Sequence, residues 1–404
     1  MQFASALSTR SDPLAAVDDL IEQTGATLAP ASANLLLLFC SAHHEDQLNQ
    51  VVTRLGETFG RAGIFGCTAE GTLGADREVQ STCSMSMLVG SLPGVRLHPF
   101  HLDRDRIEAL DDAELPSLLG VDTDNPPLVL VFGEPFSFPI VDFLKRTNRD
   151  LPGVPIIGGM ASAAERPGQN RLILNGQLYD DGLVGVTLTG PFSATTVVSQ
   201  GCRPIGEPFV VTQGHHNVIQ ELGGKTTLVR LREVFADLSP DDVRLAKQAL
   251  FVGRVMHEYQ ERFQRGDFLI QNIIGLDAEE GALALAAPVQ VGSTIQFHVR
   301  DAGCADDDLR ELLARAKPAF IHRPPAGALL VNCNGRGRRM WPSQQGHDVT
   351  LIHEIYGDIP VAGFFAAGEI GPVAGRNFVH GFTASIVLLA EQKTQDPQGL
   401  PENM

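Results

Sequence analysis

Lysine is scarce in this 404-residue chain, and acidic residues outnumber basic ones 48 to 31, giving a net charge of -17. So acidic a chain lacks the basic footprint that nucleic acid or an anionic membrane surface requires. No apolar run approaches the roughly 20 residues of a membrane span. The most apolar stretch, "NLLLLFC" (residues 34–40), reads instead as a buried strand. Six cysteines (Cys40, Cys67, Cys83, Cys202, Cys304, Cys333) include no CxxC pair, which leaves buried free thiols in place of a zinc knuckle or a disulfide framework. The start, "MQFASALSTRSDPLAAVDDL", lacks the basic-then-apolar layout of a secretory signal, so a cytoplasmic address is expected. His43-His44 and His215-His216 are adjacent pairs without HxxxH spacing; neighbours in a helix face different ways, so no metal site is expected. No phosphate-loop or dinucleotide fingerprint occurs, and no cofactor is expected.

What is present is an ordinary globular composition, 43% hydrophobic and 20% charged, organised as three repeats. These are "NLLLLFCSAHHEDQLNQVVTRLGETFGRAGIFGCTAEGTLG", "PLVLVFGEPFSFPIVDFLKRTNRDLPGVPIIGGMASAAE" and "GALLVNCNGRGRRMWPSQQGHDVTLIHEIYGDIPVAGFFAAGEIGP". Each reads as strand, helix or loop, then a strand ending in small residues; a further loop and strand follow. The pattern predicts an α/β fold of mixed sheets with helices packed outside, in an α-β-β-α layering. An irregular stretch of strands and helices separates the second repeat from the third. The expected division is therefore residues 30–220 and residues 221–390.

Candidate site residues cluster at the glycine-rich turns. "GIFGCTAEGTLGADREV" supplies Cys67, Thr68, Glu70, Arg77 and Glu78 at a sheet edge, where open α/β sheets bind ligands; equally, Glu70 and Arg77 can pair with each other. Cys67 has no evident base and reads as a packing residue. "NCNGRGRRMW" supplies Asn334 and Arg336, the latter suited to gripping a carboxylate, while Arg338 and Arg339 offset acidic surface. "VAGFFAAGEIGPVAGRNFVHGFTAS" carries Glu369, Arg376, Asn377 and His380 in an otherwise apolar, glycine-dense segment. Three readings of it stand open: a ligand pocket, a Glu369–Arg376 pair that only braces the loop, or acid/base catalysis by Glu369 and His380.

"GCTAEGTLGADREV", "NCNGRG", His347-Asp348 and "AGFFAAGEIGPVAGRNFVHGFTAS" together resemble the FIST family (F-box and intracellular signal transduction), over about residues 35–390. The resemblance implies a FIST N-terminal domain followed by a FIST C-terminal domain, and a sensory module that binds a small polar ligand, with amino acids as the suggested class. It implies signalling output through a separate protein and names no catalytic residues. The alternative from another class is a hydrolase or lyase that uses Glu369, His380 and Cys333.

Overall fold

Each repeat folds as a strand–helix–strand unit followed by a hairpin and a closing strand. The computed structural model describes residues 1–111, 114–121, 127–256, 258–259, 263 and 266–392. The first unit contains β1 (Gln2–Ser8), α1 (Pro13–Gly25), β2 (Leu35–Ser41), α2 (Leu48–Phe59), β3 (Gly63–Ala69), β4 (Gly71–Gly74), β5 (Arg77–Gln80) and β6 (Met85–Ser91). The second contains β7 (Arg96–Leu102), α3 (Arg104–Ala109), α4 (Leu115–Leu118), β8 (Leu128–Gly133), α5 (Ile140–Asp150), β9 (Ile156–Met160), β10 (Leu172–Leu174), β11 (Gln177–Tyr179) and β12 (Leu183–Thr189). The third opens with β13 (Phe192–Gln200). An insert follows: β14 (Cys202–His215), β15 (Val218–Leu222), β16 (Lys225–Thr226), α6 (Thr227–Asp237), α7 (Pro240–Gln248), β17 (Leu250–Val255), β18 (Phe268–Asp277), β19 (Ala282–Leu285) and β20 (Thr294–Arg300). The unit then resumes with α8 (Ala302–Ala316), β21 (Gly327–Cys333), α9 (His347–Tyr356), β22 (Val361–Ala366), β23 (Glu369–Val373), β24 (Arg376–His380) and β25 (Thr383–Glu391).

The units interlock. Sheet I has the order β1-β6-β2-β3-β10-β11, sheet II β7-β12-β8-β9-β23-β24, and sheet III β13-β25-β21-β22-β4-β5. Each sheet is thus completed by a hairpin from another unit: the first unit lends β4–β5 to sheet III, the second lends β10–β11 to sheet I, and the third lends β23–β24 to sheet II. The division expected between residues 220 and 221 falls within β15, a strand of the insert. Six of the insert's seven described strands, β14, β20, β17, β18, β19 and β15, close on themselves through a β14–β15 pairing, making a small antiparallel barrel.

Helices outside and sheets inside is the expected layering, with three sheets sharing the inner core. Residues alternate faces along a strand, so β2 sends Leu35, Leu37 and Phe39 into the core common to all three sheets. It sends Leu36, Leu38 and Cys40 outward under α1 and α2. That double burial explains the unbroken apolar run in the sequence. Phe39, Phe132 and Phe364, one from each sheet, meet at the centre with ring centroids 4.8 to 5.9 Å apart. Such aromatic pairs add about 0.5–1.5 kcal/mol beyond their buried area.

The glycine shared by β3, β9 and β22, the second strand of each strand–helix–strand unit, has a steric cause. Gly66, Gly158 and Gly363 lie opposite Leu38, Val131 and Leu330 in the parallel strand pairs. A Cβ at any of them would lie 1.7 Å from the neighbouring carbonyl oxygen. We therefore expect Gly363→Ala to cost about 3 kcal/mol or more, as severe overpacking does. Urea unfolding measures it, and a loss near zero would show that the strands can separate freely.

Candidate functional site

The end of β21 carries a buried charge. Arg336, in the loop after this strand, has no exposed surface and grips Asp348 with two bonds, Nε to Oδ2 at 2.7 Å and Nη2 to Oδ1 at 2.8 Å. Asp348 lies in the first turn of α9. Its other partner is His347, whose Nδ1 is 2.8 Å from Asp348 Oδ1 and whose Nε2 is 2.9 Å from Asp306 Oδ1. Trp341 stacks on the His347 ring at 3.6 Å and lies 5.1 Å from the Arg336 guanidinium carbon. Glu78, on the hairpin lent by the first unit, accepts the Asp348 and Val349 backbone N–H groups at Oε1. A carboxyl there meets the N-terminal end of α9, where orphan N–H groups need acceptors.

The electrostatics of this cluster divide its acids. Burial acts to raise Asp348, but Arg336 and His347 outweigh it and hold that carboxyl well below the usual range. Burial, aided by the negative Asp348, pushes Glu78 up to about 8. One guanidinium can neutralise one carboxylate, so the dry interior favours the neutral form of the second.

Glu369 occupies the other side of the β21 end. It opens β23, is 1% exposed, and accepts both the Thr383 N–H (3.1 Å) and the Thr383 hydroxyl (2.8 Å) at Oε2. Burial pushes it up to about 8, against those Thr383 bonds and the field of Arg336. Arg336 and Glu369 therefore feel each other electrostatically, yet no hydrogen bond joins them. Several polar atoms here are buried with no hydrogen-bond partner among the described residues: Arg336 Nη1, Glu369 Oε1, Asn334 Oδ1 and both amide atoms of Asn332. Buried polar groups normally have partners, and each exception costs about 1–3 kcal/mol. Gly201 packs closely beside this set: a Cβ there would stand 3.0 Å from the Phe382 carbonyl oxygen, 3.1 Å from Met340 Cε and 3.5 Å from Arg336 Nη1.

The structure brings Arg336 close enough to act on Glu369 through its field, with Asn334 two residues before Arg336 in the same loop and His380 opposite Glu369 in the β23–β24 register. His380 is buried, bonds the Gly371 carbonyl through Nε2 at 2.9 Å, and is pushed down to about 4 by burial. Glu70 touches the cluster's rim, because its carboxylate pairs with Arg339 at 2.7 Å and Arg339 also bonds the Asn334 carbonyl. The pairing of Glu70 with Arg77 does not occur; Arg77 is exposed beside Asp76. Cys67 faces the central core, and burial raises its thiol far above the ordinary value. Thr68 is tied to the Arg171 backbone. Asn377 clamps its hairpin to Asn148, Val154 and Ile156. Arg376 stands exposed at the hairpin tip, four residues of strand away from the level of Glu369, so neither the bracing pair nor a shared small ligand joins these two. Cys333 is buried and pushed up to about 12, which keeps it a thiol at neutral pH.

Sequence reasoning passed over Asn332, Thr383, Asp306 and Gly201 as site residues. It noticed Glu78 and His347-Asp348 without assigning them a role. Glu78 and Asp348 lie 270 residues apart, and no local pattern reports such a meeting.

With the site's geometry in hand, comparison with known proteins places the chain in the FIST family. Residues 34–225 match the FIST N domain and residues 228–372 the FIST C domain. FIST domains are associated with signalling; the F-box wording attached to the earlier resemblance is set aside. The uncharacterized protein Rv0628c of Mycobacterium tuberculosis is 39% identical over 391 residues, covering 97% of this chain and 100% of its own. The uncharacterized protein Mb0898c of Mycobacterium bovis is 38% identical, covering 97% and 99%. Among solved structures, a cyanuric acid hydrolase aligns over 97% of this chain and 100% of its own at 8% identity, with a TM-score of 0.32. A second, from A. caulinodans, gives 9% identity and a TM-score of 0.30 over the same shares. Likeness that faint bears on neither fold nor function. No helix among the described residues is long and apolar enough to cross a membrane.

Two outcomes follow from the buried charges. Arg336→Met leaves Asp348 buried without its partner and should cost about 3–5 kcal/mol, whereas Arg336→Met with Asp348→Leu should recover most of it. Unfolding free energies of the three proteins check this; equal losses in the single and double variants would contradict it. Glu369 has a raised folded pKa, so its contribution is fully present below 4.5 and is lost as pH climbs to about 8. Wild type should therefore lose stability relative to Glu369→Gln across that window, by on the order of 4 kcal/mol. Parallel stability–pH curves would show that Glu369 ionises normally.

Proposed function

We propose that this protein is a sensory binding module whose site is the end of β21, and that it holds a small polar ligand through a carboxylate group. The observation that supports this reading is the set of buried atoms left without partners: Arg336 Nη1, Glu369 Oε1, Asn334 Oδ1 and the Asn332 amide. With its pKa raised to about 8, Glu369 is a neutral acid at pH 7. Thr383 occupies Oε2, so the proton falls on Oε1 and makes it a donor. A guanidinium N–H and a carboxylic O–H are both donors, and an incoming carboxylate is what they can share. The amide oxygen of Asn334, in the same loop as Arg336, then remains for an ammonium or amide group on the same molecule. An amino acid fits this inventory, with Arg336 in the role first expected of Arg376.

The segments 30–220 and 221–390 are proposed as the two family domains, interlocked by exchanged hairpins, with output passing to a separate signalling protein. A cytoplasmic setting belongs to the same proposal. Catalysis by Glu369, His380 and Cys333 is the less favoured reading, because burial weakens His380 as a base and keeps Cys333 protonated.

A thermal-shift panel of the common L-amino acids and short carboxylates tests this. A ligand present at about 100 times its dissociation constant adds roughly 2.7 kcal/mol. The shift should survive in Glu369→Gln, whose amide N–H₂ takes the place of the acid's O–H, and vanish in Glu369→Met. It should be unchanged in Arg376→Ala. In wild type alone, binding should weaken above pH 8, where Glu369 ionises and repels the ligand. Loss in the Gln variant with retention at high pH would instead mean that an ionised Glu369 holds a cation.

A further inference from the structure

β13 forms one border of sheet III. Among the described residues it pairs with β25 alone, in unbroken register from Phe192 opposite Glu391 to Gln200 opposite Thr383. Two hydrogen bonds show which of its backbone groups turn away from β25. Gln200 N donates outward to Asp308 Oδ2 at 3.0 Å, and the opposing Thr383 N donates to Glu369, leaving that residue pair unbonded to each other. Peptide groups alternate along an antiparallel strand, so Val198, Thr196 and Ala194 also turn N–H and C=O away from the sheet.

That side opens on a groove of about 890 Å³. β13 lines it with Thr195 to Val198; Asp307, Glu311 and Leu312 of α8 form one wall, and Pro372 to Ala374 on the β23–β24 hairpin form the other. Border strands are usually guarded by proline, by charged residues or by a bulge. "FSATTVVSQ" has no proline and no charge, its register carries no bulge, and its centre is β-branched. It is a strand suited to pairing, facing an open trough.

We infer that the groove receives an extended, basic segment of a partner protein as an added strand beside β13. Main-chain bonds to Thr196 and Val198 supply the attachment, as in other cases of strand addition. The basic character follows from charge: among the described lining residues Arg315 is the one cation and it is paired with Glu311, which leaves Asp307 exposed on the α8 wall, and the whole chain carries -17. This inference stands independently of the ligand proposed at β21.

Fluorescence anisotropy with a labelled peptide of four alternating lysine–valine pairs, on the full chain, tests it. Saturable binding is expected, weakened at least about tenfold when glutamate replaces lysine or when alternate peptide amides are N-methylated. Asp307→Lys with Glu311→Lys, both on exposed helix surface, should weaken it similarly without changing the melting temperature. Hydrogen exchange at the Thr196 and Val198 amides should slow on binding. Equal affinity for the N-methylated peptide, indifference to the double substitution, protection elsewhere, or no binding at all would overturn the inference. Self-association of the free chain through β13, seen by sedimentation, would also overturn it, by making a second copy the occupant.

Discussion

A guanidinium with no exposed surface has to be neutralised where it lies, and Arg336 imposes that requirement on everything around it. A single buried charge deprived of its partner costs about 3–5 kcal/mol, a large share of a protein's net stability. Asp348 meets the charge with two hydrogen bonds and is itself fixed by His347 at the start of α9. The field of Arg336 still reaches Glu78 and Glu369, but burial outweighs it and pushes both up to about 8. Glu78 caps a helix, and Glu369 keeps Oε1 without a partner among the described residues.

The exchange of hairpins makes this cluster possible. β4–β5 carries Glu78 into sheet III, and β23–β24 carries Glu369 out of the third unit into sheet II. The end of β21 lies where those two loans meet, so its polar residues come from three distant stretches of one chain. The same β23–β24 hairpin walls the β13 groove. Gln200 and Thr383 face each other across β13 and β25; one bonds Asp308 at the groove, the other Glu369 at the site. Site and groove are two sides of one pair of strands.

The repeats, their strand–helix–strand order and the helices outside were legible, because apolar periodicity and turn residues are local signals. The small residues of the second strand of each unit were visible, but the glycine common to β3, β9 and β22 was not, because its cause is a 1.7 Å approach to a neighbouring strand's carbonyl. Which hairpin joins which sheet was not legible, since pairing between units depends on contacts hundreds of residues apart. The same reason misplaced Arg376: it sits seven residues from Glu369 in sequence, but a hairpin returns its residues in register, so proximity in sequence became distance along the strand. Arg336 was singled out for its grip on carboxylates, and it does grip one, though the partner is Asp348 of the protein itself.

The most direct measurement is a crystal structure of the chain purified from its own host without exchange of bound molecules. Electron density of a small carboxylate touching Arg336 Nη1 and Glu369 Oε1 is the predicted result. A site in which those atoms contact only protein and water would contradict the account.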